Sequence, residues 1–257
     1  MRGQPYIGVT GVVTAEDVAA LRRCVALLPT GYRLMAGVLV SAKTLCDEPT
    51  TNARYPRFDD VPGLLTALAD AGCWPVVHFN CRAGLREHLQ ALAGLDAVRG
   101  LQLNVGNPDL ATVSAFKEWR PDVELILQVN AAAQDESGTL TKASALRYMD
   151  RYDSVADFAL VDASGGRGKA MDLSLATSLA PMRRGMAFAG GFGPGSFESV
   201  HALCQAGARP SFDAETRVRR PLASGAVEGL PYQDELDPEA AMRWVREAAR
   251  AVMRGRS

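Results

Sequence analysis

The chain has 257 residues, 47% hydrophobic and 22% charged, the balance of an ordinary globular protein with enough length to bury a large core. A formal net charge of -1 offers no basic field for nucleic acid, and no apolar run is long enough to span a membrane. The five cysteines have no CxxC spacing and the chain opens directly into YIGVTGV, so reduced thiols and a cytoplasmic location are expected.

Strand and helix signals alternate from end to end. The first apolar run, Tyr6–Thr10, leads into a helical pattern over Ala15–Leu28 that Thr14 should cap. Leu34–Val40 is followed by a long loop, Thr44 to Asp60, and then by Pro62–Ala71. Trp74–Phe79 pairs with Leu85–Ala93, Gly100–Asn104 with Leu110–Trp119, and Glu124–Val129 with Lys142–Tyr152. Asn107 before Pro108-Asp109 reads as a cap for the fourth of these helical units, Leu110–Trp119. Phe158–Asp162 precedes Leu173–Leu179, Met186–Ala189 precedes Phe197–Ala206, and Pro210–Asp213 precedes Pro238–Met253, which Asp237 should cap. The runs VVHF, LILQV and FALV are nearly continuous apolar segments, as parallel strands covered on both faces require. Eight such pairs predict an α/β fold, one (β/α)8 TIM barrel over residues 1–257. An open doubly wound sheet is the competing architecture, but TGVVTAED lacks the GxGxxG dinucleotide fingerprint.

In such a barrel the chemistry lies at the C-terminal ends of the strands. The polar residues that end apolar runs there include Thr10, Lys43, His78, Asn80, Asn104, Gln128, Asn130, Asp162 and Asp213. Ala187-Phe188-Ala189 breaks at Gly190-Gly191 before a helix begins, and main-chain N–H groups freed at such a turn make a site for a phosphate. A tight connection alone would also use two glycines.

The glycine segments carry a resemblance. Asp162-Ala-Ser-Gly-Gly-Arg-Gly-Lys169-Ala-Met-Asp172 resembles the LLDS…GGTGKTFDW segment of the phosphoribosylanthranilate isomerase family, and Ala189-Gly-Gly-Phe-Gly-Pro-Gly-Ser-Phe197 resembles its AGGLNPENV. Thr10-Gly-Val-Val-Thr-Ala-Glu-Asp17 is similar to its CGITRPEDA, and Leu101-Gln-Leu-Asn104 to its VQLHG. Phe212-Asp-Ala-Glu-Thr-Arg217 sits where the family has VDVSSGVE. The resemblance implies a TIM barrel that converts a phosphoribosylamine to a 1-deoxyketose, with Asp162 as general acid. The family's general-base cysteine falls on Thr10, whose hydroxyl is too weak an acid to serve unaided. The serines that complete its phosphate site fall on Glu215 and Thr216, so Glu215 must point away or the ligand must differ there.

Several residues could fill the missing role. Cys81 follows the third strand, and Arg82 could lower its pKa if both face the cavity. Lys43 could form a Schiff base if desolvated. His78 and Asn80 share a side of their strand, so His78 could orient Asn80 or Asp162. Arg54 and Arg57 in the long second loop are the nearest counterparts of the family's arginine for the anthranilate carboxylate, while Arg167 and Lys169 could close over a phosphate. Three scattered histidines without carboxylate neighbours give no metal site, and no cofactor is expected. The expected partner is a small phosphorylated metabolite, with a homodimer possible and neither nucleic acid nor membrane involved. Three classes follow: an isomerase using Asp162 with substrate contacts at Asn80, Asn104, Asn130, Gly190, Gly191 and Asp213; a lyase or aldolase using Lys43 or the carboxylates; and a barrel that only binds a metabolite.

Overall fold

Eight strands pair in chain order, each parallel to the next, and the eighth returns to the first to close a barrel. The computed structural model describes residues 3–48, 50–130, 133–134, 138–162, 171–207, 209–222 and 230–255. The strands are β1 (Tyr6–Thr10), β2 (Arg33–Ser41), β3 (Trp74–Asn80), β4 (Gly100–Leu103), β5 (Glu124–Val129), β6 (Phe158–Val161), β7 (Met186–Phe188) and β8 (Ser211–Ala214). Outside them lie α1 (Ala15–Val25), α2 (Ala42–Leu45), α3 (Val61–Asp70), α4 (Leu85–Ala93), α5 (Leu110–Trp119), α6 (Lys142–Arg151), α7 (Leu173–Leu179), α8 (Phe197–Ala206) and α9 (Pro238–Arg254). Among the described residues no helix is long and apolar enough to cross a membrane.

The local chemistry sets the boundaries. Thr14 caps α1 through a reciprocal pair of bonds with Asp17. The helix stops at Val25, short of the expected Leu28, because Pro29 disfavours the helical conformation in the residue before it. Asp109, and not Asn107, caps α5: its carboxylate accepts from the Thr112 N–H at 2.8 Å, while Asn107 turns with φ of 47°. Ser41 ends β2 and caps a short α2 that the sequence pattern did not reveal. Beyond β8, β9 (Arg219–Pro221) and β10 (Asp234–Leu236) form an antiparallel hairpin, where the arginine-rich segment Arg217–Glu235 reads in sequence as a mobile loop.

Strand alternation divides the core in two. One set of apolar side chains, Ile7, Val38, Val77 and Leu127 among them, packs under the helices. The other fills the lumen, and its lower part is aromatic: Tyr6, Trp74 and Phe158 meet with ring centroids 5.3 to 5.7 Å apart. Arg33 lies 3.3 Å from the Trp74 ring centre and pairs with Glu124, which closes the N-terminal end. Trp244 of α9 is fully buried and donates to the Gly8 carbonyl at 2.9 Å, tying the last helix to β1. Higher in the lumen the lining becomes polar, with Thr10, His78, Gln102, Gln128, Asp162 and Asp213 all buried.

Candidate active site

That polar layer sits at the C-terminal mouth, and glycines make room for it. A Cβ at Gly37 would stand 2.7 Å from the Thr10 Oγ1 and 2.8 Å from the His78 Nε2, and one at Gly8 would stand 2.8 Å from the Asp213 Oδ1. With those Cβ atoms absent, the Thr10 hydroxyl donates to Asp213 Oδ1 at 2.9 Å while His78 Nε2 lies 3.4 Å behind it. Burial lowers the His78 pKa to about 3, so the ring is neutral at pH 7 and can donate through Nε2 to the Thr10 oxygen. His78 thus serves Thr10, not Asn80 or Asp162.

Asp213 ends this relay. Burial pushes its pKa up to about 7, the Thr10 hydrogen bond opposes the rise, and the Glu215 and Asp162 charges add to it. Across the same cavity Asp162 is 4% exposed and accepts from Gln128 Nε2 at 2.9 Å. Gln102 donates to the Asn104 Oδ1 at 2.9 Å, but its own Oε1 is buried and has no donor among the described residues. A buried acceptor left so costs on the order of 1 to 3 kcal/mol until a ligand donates to it.

These groups surround a narrow inner cavity of about 40 Å³, walled also by Gly190 and Gly191. Both glycines have positive φ, 113° and 73°, as the turn from β7 demands. Arg217 bridges the turn, donating to the Gly191 carbonyl at 2.8 Å and to the Pro194 carbonyl at 2.7 Å. An exposed cation beside this turn adds to its attraction for an anion.

An outer cavity of about 280 Å³ shares Asn104, Gln128 and Glu215 with the inner one. Asn80 and Asn130 line it, Asn80 donating to the Tyr55 hydroxyl at 2.6 Å and Asn130 to the Gln128 Oε1 at 3.4 Å. Arg54 lines it as well, but its guanidinium is taken. It holds Asp234 with two bonds of 2.8 and 2.6 Å, bonds Glu215 at 2.7 Å and lies 4.6 Å from the Tyr232 ring centre. Glu215 therefore faces the mouth and is paired with Arg54, instead of pointing away. Arg219, its side chain 2% exposed, donates to the Thr10 and Gly11 carbonyls and so braces the end of β1.

Two expected catalytic groups stand elsewhere. Lys43 is exposed on α2 and does not end β2, which removes the desolvation a Schiff-base lysine needs. Cys81 is half-buried against the outer core, and burial pushes its thiol pKa up where Arg82 was expected to lower it. Arg167 and Lys169 lie outside the described residues. Sequence reading gave no role to Gln102, Arg219, Tyr232 or Asp234. The polar Gln102 inside the apolar run GLQL was the one available signal.

No protein-family model and no curated protein matches the chain. Solved structures do. Phosphoribosyl anthranilate isomerase from Thermotoga maritima superposes with a TM-score of 0.65 at 15% identity, covering 96% of this chain and 98% of that one. The enzyme from Thermus thermophilus gives 0.59 at 18% identity, with 99% of each chain covered. A phosphoribosyl anthranilate isomerase in complex with reduced 1-(o-carboxyphenylamino)-1-deoxyribulose 5-phosphate gives 0.63 at 16% identity, covering 95% and 98%. At these identities the likeness is one of fold: the chain has the barrel of the phosphoribosylanthranilate isomerases.

Proposed function

We propose that the chain is an isomerase of a phosphorylated, sugar-type metabolite that moves a proton between adjacent carbons and oxygen, with Asp162 and Asp213 as the acid and base. The observation that carries this reading is Asp213, a buried carboxylate held near pKa 7 beside a second buried carboxylate at the mouth of the barrel. On a phosphoribosylamine, Asp162 would protonate the ring oxygen. The C1–O bond would break as the nitrogen lone pair forms C1=N, and Asp213 would remove the C2 proton. The C2–H electrons would become the C1=C2 bond of an enolamine, which tautomerises to the 1-amino-1-deoxyketose. Thr10 cannot take that proton itself, yet its O–H holds Asp213 in place. The orphan Gln102 Oε1 would accept from a sugar hydroxyl, and the Gly190-Gly191 turn would take the phosphate. Exchange into D2O tests the proton step. Wild-type protein should wash deuterium into C2 of a phosphoribosylamine, seen by NMR. Exchange at the wild-type rate in Asp213→Asn would sink the assignment.

A further inference from the structure

The outer cavity has a composition unlike its inner neighbour. Its wall carries five carboxamides, Asn52, Asn80, Asn104, Gln128 and Asn130 with the phenols of Tyr55 and Tyr232, and at about 280 Å³ it is the lobe with room for a ring. Burial holds the Tyr55 phenol above its ordinary pKa, so it presents a neutral hydroxyl. The one cation on the wall among the described residues, Arg54, already carries two carboxylates. It has little net attraction to offer a third, and a ligand carboxylate would also meet Glu215. Each carboxamide, in contrast, presents donors and an acceptor in one plane, the complement of a ring edge with alternating donors and acceptors. The tyrosine faces suit a flat ring.

We propose that the outer cavity receives an uncharged, planar heterocycle of the nucleobase type, carried on the sugar phosphate, and discriminates against a ring bearing a carboxylate. This rests on the proposed function in placing the phosphate at Gly190-Gly191. Calorimetric titration separates the two ideas. Uridine and adenosine are compared with ribose, their 5′-phosphates with ribose 5-phosphate, and all with the reduced carboxyphenylamino-deoxyribulose 5-phosphate. A base should tighten binding at least about tenfold in one of the two series within each comparison, equivalent to about 1.4 kcal/mol. The carboxyphenylamino compound should bind more weakly than the better nucleotide. If the base tightens binding while the phosphate adds nothing, the phosphate reading falls and this one stands. If neither base adds affinity, or the carboxylated ring binds best, the inference is overturned whatever the phosphate does.

A reversal of preference gives the second readout. Glu215→Gln leaves Arg54 with Asp234 alone, and Asp234→Asn leaves it with Glu215 alone. Either variant should raise affinity for the carboxyphenylamino compound about tenfold, since one pairing charge is removed from the guanidinium. Both are checked for an unchanged thermal transition, and one folded variant suffices. An unaltered preference in the folded variants would overturn the inference.

Discussion

Thr10 stands where the resemblance places a catalytic cysteine, and its hydroxyl donates to Asp213 instead of taking a proton from substrate. Asp162→Asn and Asp213→Asn should each cut turnover by about two to four orders of magnitude, the ordinary weight of one acid–base group. Thr10→Val should cost far less and leave a different mark. It removes the hydrogen bond that holds the Asp213 pKa down, so the limb of the kcat/KM profile governed by the ionised base should move above pH 7. A profile unmoved in Thr10→Val would separate Asp213 from the rate. At the glycine turn, Gly191 has φ of 73°, where a β-branched residue is strained. Gly191→Val should weaken binding of phosphorylated ligands and leave that of their unphosphorylated forms nearly unchanged. Equal affinity for phosphorylated ligand in wild type and variant would remove the phosphate from this turn. The sequence made Asp162, Asp213 and the glycines legible because each ends an apolar run. It could not show which carboxylate burial would perturb, since that depends on Thr10 and Asp162 arriving from other strands.

Elements differ in how plainly they are written. β1, β5, α4, α5, α7 and α8 form over the very residues their periodicity marks, because a strand covered on both faces or a helix with one apolar stripe needs that pattern. The β9–β10 hairpin has no such mark. Its strands are Arg-Arg-Pro and Asp-Glu-Leu, three residues each, and Leu236 is their one buried apolar residue. What holds it is a clasp between segments far apart in sequence. Arg54 from the loop after β2 grips Asp234, the Ala53 N–H bonds the Tyr232 carbonyl, and Gln233 donates to the Thr51 carbonyl. The long second loop and the hairpin are therefore one structural unit over the mouth, where the sequence reads as a long loop and a separate mobile one. Arg54→Met keeps much of the volume but leaves Glu215 unpaired and Asp234 with only Arg219, at 3.7 Å. Breaking one side of such a buried pair costs about 3 kcal/mol or more, so the variant should unfold at lower temperature. Amide exchange should rise at residues 51–55, 219–222 and 230–236 before it rises in β1 to β8. Uniform exchange across the barrel would mean that the clasp is not a separate cooperative unit.

At the scale of the whole molecule, the barrel is built as a hydrophobic shell around a lumen that turns from aromatic at its base to carboxylate and carboxamide at its mouth. The base is closed by Tyr6, Trp74, Phe158 and the Arg33–Glu124 pair, which makes stability the business of one end and chemistry that of the other. The mouth exacts a cost in stability that depends on pH. Asp213 has an ordinary value of 3.8 and titrates near 7 in the fold, so between those values the folded chain holds a proton that the unfolded chain has released. The stability this group contributes is present in full below pH 4 and is lost as pH rises through 7, opposite to the trend of a salt-bridged carboxylate. Glu215, also raised by burial, acts in the same direction, with Arg54 opposing it. Asp213→Asn keeps the shape and removes the titration. The variant should gain on wild type by on the order of a few kcal/mol above pH 8 and by little below about pH 4. Urea unfolding from pH 5 to 9 measures this directly. If the stability difference between wild type and Asp213→Asn were flat across that range, Asp213 would ionise at its ordinary pH in the fold, and a base poised near neutrality would have to be sought elsewhere in the mouth.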